Sequence, residues 1–173
     1  MNLLAALLWW APVGLPSAVG PPASPETALR GYEYVPPVAR PDPVTLAAWR
    51  RVAADPQEDP VIRGRALTLL STTGDPTQAA LLRGLMSPVE EPFLRRKALE
   101  SLARLRGAAI LGEVETLYLG AGKDPRFRAA CARALATMGQ AGAPVRARLR
   151  ARETHQEIRR LLAPSPLPGR TPP

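Results

Sequence analysis

The chain has 173 residues, of which 46% are hydrophobic and 22% charged, and a formal net charge of +8. That length supports one domain with a real core, while a single cysteine excludes an intramolecular disulfide scaffold. The single histidine, His155, has no Cys or second His at ligand spacing, which argues against a zinc-type site.

The first element is the uncharged apolar run Leu3 to Ala11, which stops at Pro12. It is shorter than the roughly 20 residues a bilayer span takes, so no transmembrane anchor is expected from it. Its length suits the core of a secretory signal, and residues 1–20 are read as that signal. The expected location is therefore the periplasm or the exterior. A run folded back on the rest of the chain would instead leave the protein cytoplasmic. Residues 21–42 follow as a proline-rich extended arm. Nine of the 21 prolines fall between Pro12 and Pro43, and such stretches favour extended conformations. Within it, Gly31-Tyr32-Glu33-Tyr34-Val35-Pro36-Pro37 is an aromatic spot suited to docking on the first repeat or, alternatively, to serving as a partner motif.

The next hundred residues repeat. Pro60-Val61-Ile62-Arg63-Gly64-Arg65-Ala66, Pro92-Phe93-Leu94-Arg95-Arg96-Lys97-Ala98 and Pro125-Arg126-Phe127-Arg128-Ala129-Ala130-Cys131 share the form Pro-x-apolar-Arg-x-x-small. Asp59, Glu91 and Asp124 precede them, and a Leu follows four residues after each (Leu70, Leu102, Leu135). A second series begins at Asp42-Pro43 and Asp75-Pro76; it predicts a start near Ala108 and another at Pro144. Proline suits the first helical position, and an acid before it caps free N–H groups and complements the helix dipole. Gln78 makes a capping box with Asp75. Gly74, Gly107 and Gly139 suit left-handed helix ends. Apolar residues recur near a period of 3.6, placing Trp49, Leu82, Val114, Tyr118, Leu70, Leu102 and Leu135 inward. Ala66, Ala98 and Cys131 allow close helix approach, and Gly64, Gly84 and Gly112 are expected at close backbone contacts. The fold class is all-α: an α-solenoid of stacked antiparallel helix pairs with extended proline-rich termini.

The three Asp/Glu-Pro-x-apolar-Arg-x-x-small segments resemble the HEAT-repeat family, in its short bacterial form, over residues 43–163. About three and a half repeats are expected, at 43–74, 75–107, 108–140 and 143–163. The resemblance implies a scaffold that binds proteins on a concave face lined by the second helix of each pair. It also implies that the repeated Arg and the acid before the proline are structural and bridge neighbouring repeats.

The last repeat is degenerate. A break is expected near Glu153 or Thr154, with Thr154 and Glu157 as a capping box for a final short helix. Residues 164–173 read as a disordered proline-rich tail. Residues 144–173 hold seven Arg and two Glu, with Arg146/Arg150 and Arg148/Arg152 as two stripes. They form either an electropositive end for phosphates, anionic lipid or an acidic protein, or a solvated helix.

No catalytic, cofactor-binding or metal-binding residue is assigned. No Ser/His/Asp arrangement can be built on these helix faces, and Gly120-Ala121-Gly122-Lys123 lacks the strand and the Ser/Thr of a phosphate loop. The expected function is non-catalytic: a protein-binding scaffold of the bacterial cell envelope. Its candidate contacts are Arg65, Arg96, Lys97, Glu100, Arg104, Ala129 and Arg133, with Arg148 and Arg152 at the basic end. The alternatives are nucleic-acid binding by the basic C-terminal helices and an accessory subunit of an enzyme.

Overall fold

The acid-proline pairs do what their chemistry dictates. In the computed structural model, which describes residues 24–31 and 40–164, helices α2 (Pro43–Ala54), α3 (Pro60–Thr72), α5 (Pro92–Arg106) and α7 (Pro125–Thr137) each start on such a proline. The Asp42 carboxylate accepts from the Val44 and Thr45 N–H groups at 2.9 Å. Asp59 accepts from Val61 at 2.7 Å, Glu91 from Leu94 at 2.9 Å and Asp124 from Phe127 at 3.0 Å. Each bond satisfies an N–H that the helix itself leaves unpaired. The remaining helices are α1 (Pro25–Arg30), α4 (Gln78–Gly84), α6 (Leu111–Gly120), α8 (Gly139–Arg152) and α9 (Gln156–Leu161). A 3-10 turn, Gly107–Ile110, leads into α6. No strand occurs among the described residues. The apolar run 3–11 and its expected signal, the aromatic spot from Tyr32 onward and the tail beyond Pro164 lie outside them.

Three starts differ from expectation. Asp75 folds into a turn of its own, accepting from the Thr77 N–H at 2.9 Å and from the Gln78 side-chain amide at 2.6 Å, so α4 begins only at Gln78. The start expected near Ala108 becomes the 3-10 turn. Pro144 lies inside α8 rather than at its beginning. Gly139, with φ of +56°, turns the chain in one residue after α7, and α8 starts there. The Thr154/Glu157 box is not formed. His155 precedes α9 without a side-chain cap, and Glu153 takes the His155 N–H at 2.8 Å. The break itself falls between Arg152 and Gln156.

Part of the expected extended arm is also helical. Ser24 caps α1 by accepting the Thr27 N–H at 3.2 Å, and Leu29 is completely buried. Arg51 pairs with Glu26 at 3.2 Å and Arg30 with Glu58, which seats α1 on α2 and α3.

Helices α2, α4 and α6 each pack on the helix that follows them. In turn, α3 packs on α5 and α5 on α7, and α7 also receives α8 and α9. The core runs through this row: Ala66, Leu67 and Leu70 on α3, Leu94, Ala98, Leu99 and Leu102 on α5, and Cys131 and Leu135 on α7 are all fully buried. Each buried Leu contributes about 2 kcal/mol of transfer free energy. Gly64 sits against the ring of Phe93, whose Cε1 lies 2.8 Å from where a Cβ would stand. Gly84 and Gly112 face open space, so the expected close approach is absent there. The tight position is Gly142, whose Cβ would lie 2.2 Å from the Leu135 carbonyl oxygen.

The repeated arginines join successive pairs. Arg63 donates from Nε to the Ala53 carbonyl at 3.1 Å and forks onto both oxygens of Glu90. Arg95 donates to the Met86 carbonyl at 3.1 Å and lies flat over the Phe127 ring, 3.8 Å from its centroid. Arg128 donates to the Gly122 carbonyl at 2.9 Å and stands 3.5 Å from Glu153. Asp59, Glu91 and Asp124 form no ion pair among the described residues, their oxygens being engaged with their own helix starts, whereas Asp75 of the second series does bridge, to Arg50 of α2 at 3.1 Å.

Candidate partner-binding face

Helical phase brings one stripe of α3, α5 and α7 to a common face. Lys97 and Glu100 are half-buried on successive turns of α5, their charges 3.7 Å apart. Glu100 also reaches Arg133 of α7 at 3.6 Å. One turn on, Arg104 donates to the buried Ser71 hydroxyl of α3 at 3.2 Å. Glu100, Arg104 and Arg133 therefore gather around one cleft of about 400 Å³, completed by Ala103, Gly107, Ala134 and Thr137. Ala129, half-buried, lies one turn before Arg133 on α7. Arg96 is half-buried beside Lys97 and makes no side-chain hydrogen bond or ion pair among the described residues.

Other expected contacts are engaged elsewhere. Arg65 is taken by α1: its guanidinium donates to the Leu29 carbonyl at 2.9 Å and to that of Gly31. A helix in the arm supplies those carbonyls, so Arg65 is a tether for it. Arg148 forks onto Glu115 of α6 at 3.0 and 2.8 Å, and this exposed pair fixes it away from the cleft. Arg152 is exposed and lies outside that cleft, near Tyr118, Arg128 and Glu153. The repeated arginines reach Glu90 and Glu153; Glu90 stands two residues before Pro92 as Glu58 does before Pro60, a signal the sequence carries, whereas Glu153 sits at no repeated position.

Chemically the face offers charge recognition. Arg96, Lys97, Arg104 and Arg133 place four cations beside one carboxylate, Glu100. The lone thiol, Cys131, is fully buried and its pKa is pushed up to about 12 by that burial, against the pull of the Arg95 charge; a protonated, inaccessible thiol is a poor nucleophile. Among the described residues no group of three His, Cys, Asp or Glu side chains could hold a metal ion. No described helix is long and apolar enough to cross a membrane. No family model, curated protein or solved structure matches this chain.

Proposed function

We propose that the chain is a short α-solenoid of the HEAT-like kind that holds an acidic segment of another protein on the face of α3, α5 and α7. The observation that carries this reading is the cleft between α5 and α7, where side chains from successive repeats line up with an excess of positive charge. The solenoid itself is supported by the shared Pro-x-apolar-Arg starts and by the pairwise packing of neighbours. Placement in the cell envelope rests on the apolar run of residues 3–11 alone.

A photoreactive residue at Thr137 should crosslink to an acidic stretch of one partner, whereas the same residue at the exposed Val89 should not. Arg96→Glu with Arg104→Glu should abolish the adduct and leave the melting temperature nearly unchanged. An adduct that survives both substitutions, or that forms equally from Val89, retires the reading. Duplex DNA bound tightly with steep salt dependence would replace it with the nucleic-acid alternative.

A further inference from the structure

The other cleft of comparable size lies at the far end of the row, between α8 and α9. It measures about 420 Å³ and is lined by three arginines, Arg146, Arg150 and Arg159, with alanines of α8 and Leu162. Nothing in the reading above depends on it.

Arginines elsewhere in the molecule find carboxylates: Arg63 has Glu90, Arg83 has Glu113, and Arg148 has Glu115. These three have none within ion-pair distance among the described residues. Nor does the sequence hold an Asp or Glu after Glu157. Arg146 is only 6% exposed. It donates one bond, to the Ala163 carbonyl at 3.0 Å, and its Nε is buried with no partner. Buried guanidinium groups are ordinarily paired, so this one is missing an acceptor.

We infer that the α8–α9 cleft is a binding site for a phosphoryl group carried on an apolar body. Guanidinium forks match the oxygens of a phosphate, and three of them suit a monoester of charge near −2 better than a single carboxylate. Ala143, Ala147 and Ala151 recur every four residues along α8, and with Leu162 they form an apolar wall beside the arginines. Such a wall contacts the organic part of the ligand.

Calorimetric titration of the full chain with phenyl phosphate tests the site, with inorganic phosphate and benzoate as comparisons. Phenyl phosphate should bind more tightly than either. Arg150→Gln with Arg159→Gln, both exposed positions, should weaken it at least about tenfold. Arg106→Gln with Arg126→Gln, which removes the same charge elsewhere, should not. No binding of phenyl phosphate, equal loss in both double variants, or benzoate binding as tightly would each overturn the inference. Vesicles identify the source of the phosphoryl group. Capture on phosphatidic acid but not phosphatidylcholine, lost in R150Q/R159Q, puts it on a lipid; phenyl phosphate binding without capture puts it on a soluble ligand.

Discussion

Arg63 and Glu90 meet fork to fork, with two nitrogens on two oxygens at 3.2 and 3.1 Å, although they lie 27 residues apart in the chain. The guanidinium is almost wholly enclosed, at 5% side-chain exposure. Removing its partner leaves a charge in the interior without compensation. Glu90→Ala should therefore cost about 3 kcal/mol, read as a lower midpoint in urea with an unchanged slope. Arg63→Lys should also destabilise, because a point charge cannot reproduce the paired geometry.

Beside Asp42 and Asp75, held low by their own local hydrogen bonds, two further carboxylates make stability fall in acid. Burial pushes Glu90 up, but the hydrogen bonds from Arg63 and from the Glu91 N–H, with the Arg63 charge, hold it below the ordinary range. Burial likewise raises Glu153, and the Tyr118 hydroxyl, the His155 N–H and the Arg128 charge outweigh it. Both groups bind protons more weakly folded than unfolded. Their contribution is whole above the unfolded value of about 4.3 and disappears as pH drops through the lower folded value. A melting series across that window should show the decline.

Tyr118 adds an alkaline arm of opposite sense. Burial, then its hydrogen bond to Glu153 and that residue's charge, raise the phenol well above its ordinary value. The stability it brings is complete below about pH 10 and is lost as pH rises through the folded value. Tyr118→Phe should flatten this arm and also shrink the acid decline, since Glu153 loses a donor. Unchanged arms in the variant would contradict the Tyr118–Glu153 coupling.

Glycine substitutions should separate by their surroundings. Gly142→Ala drives a methyl into the Leu135 carbonyl and should cost about 3 kcal/mol. Gly64→Ala meets only the half-buried Phe93 ring, which can turn aside, and should cost about 1 kcal/mol. Gly84→Ala and Gly112→Ala meet nothing and should stabilise by about 0.5 kcal/mol each. Thermal melts of the four variants give the order.

Cys131 reports on opening of the core. Enclosed on α7 and with its pKa pushed up to about 12, it should resist a thiol reagent at mildly alkaline pH. Labelling should proceed at the rate of global unfolding. Rapid reaction of the native chain would place the thiol nearer the surface.

The sequence made legible those elements whose cause is local. An acid and a proline announce α2, α3, α5 and α7 within a few residues, and a period of 3.6 brings Glu100, Arg104 and Arg133 to one face. The Asp75-Pro76 pair marked the region of α4 but not its first residue, because Asp75 closes a turn ahead of the helix; the starts of α6 and α8 were less legible, because no side chain caps them. Proline density concealed α1, although Ser24-Pro25 has the same capping form as the others. Long-range partners were equally hidden. Arg65 reads as a contact until α1 covers it, and Arg148 until Glu115, 33 residues earlier, meets it. Arg146 and Arg150 share one stripe in sequence, yet one is enclosed and the other exposed, and the enclosed one is held by the Ala163 carbonyl just beyond α9.

The forward reach of Arg63, Arg95 and Arg128 has a consequence for synthesis. Each side chain is made well before its forward partner, Glu90, Phe127 or Glu153, so that contact cannot form until the later segment has left the ribosome. The nascent chain thus gains its fastenings in order from the amino-terminal side, every one closing only after a further helix arrives. A release halted ahead of Glu90 would leave Arg63 holding nothing but the Ala53 carbonyl.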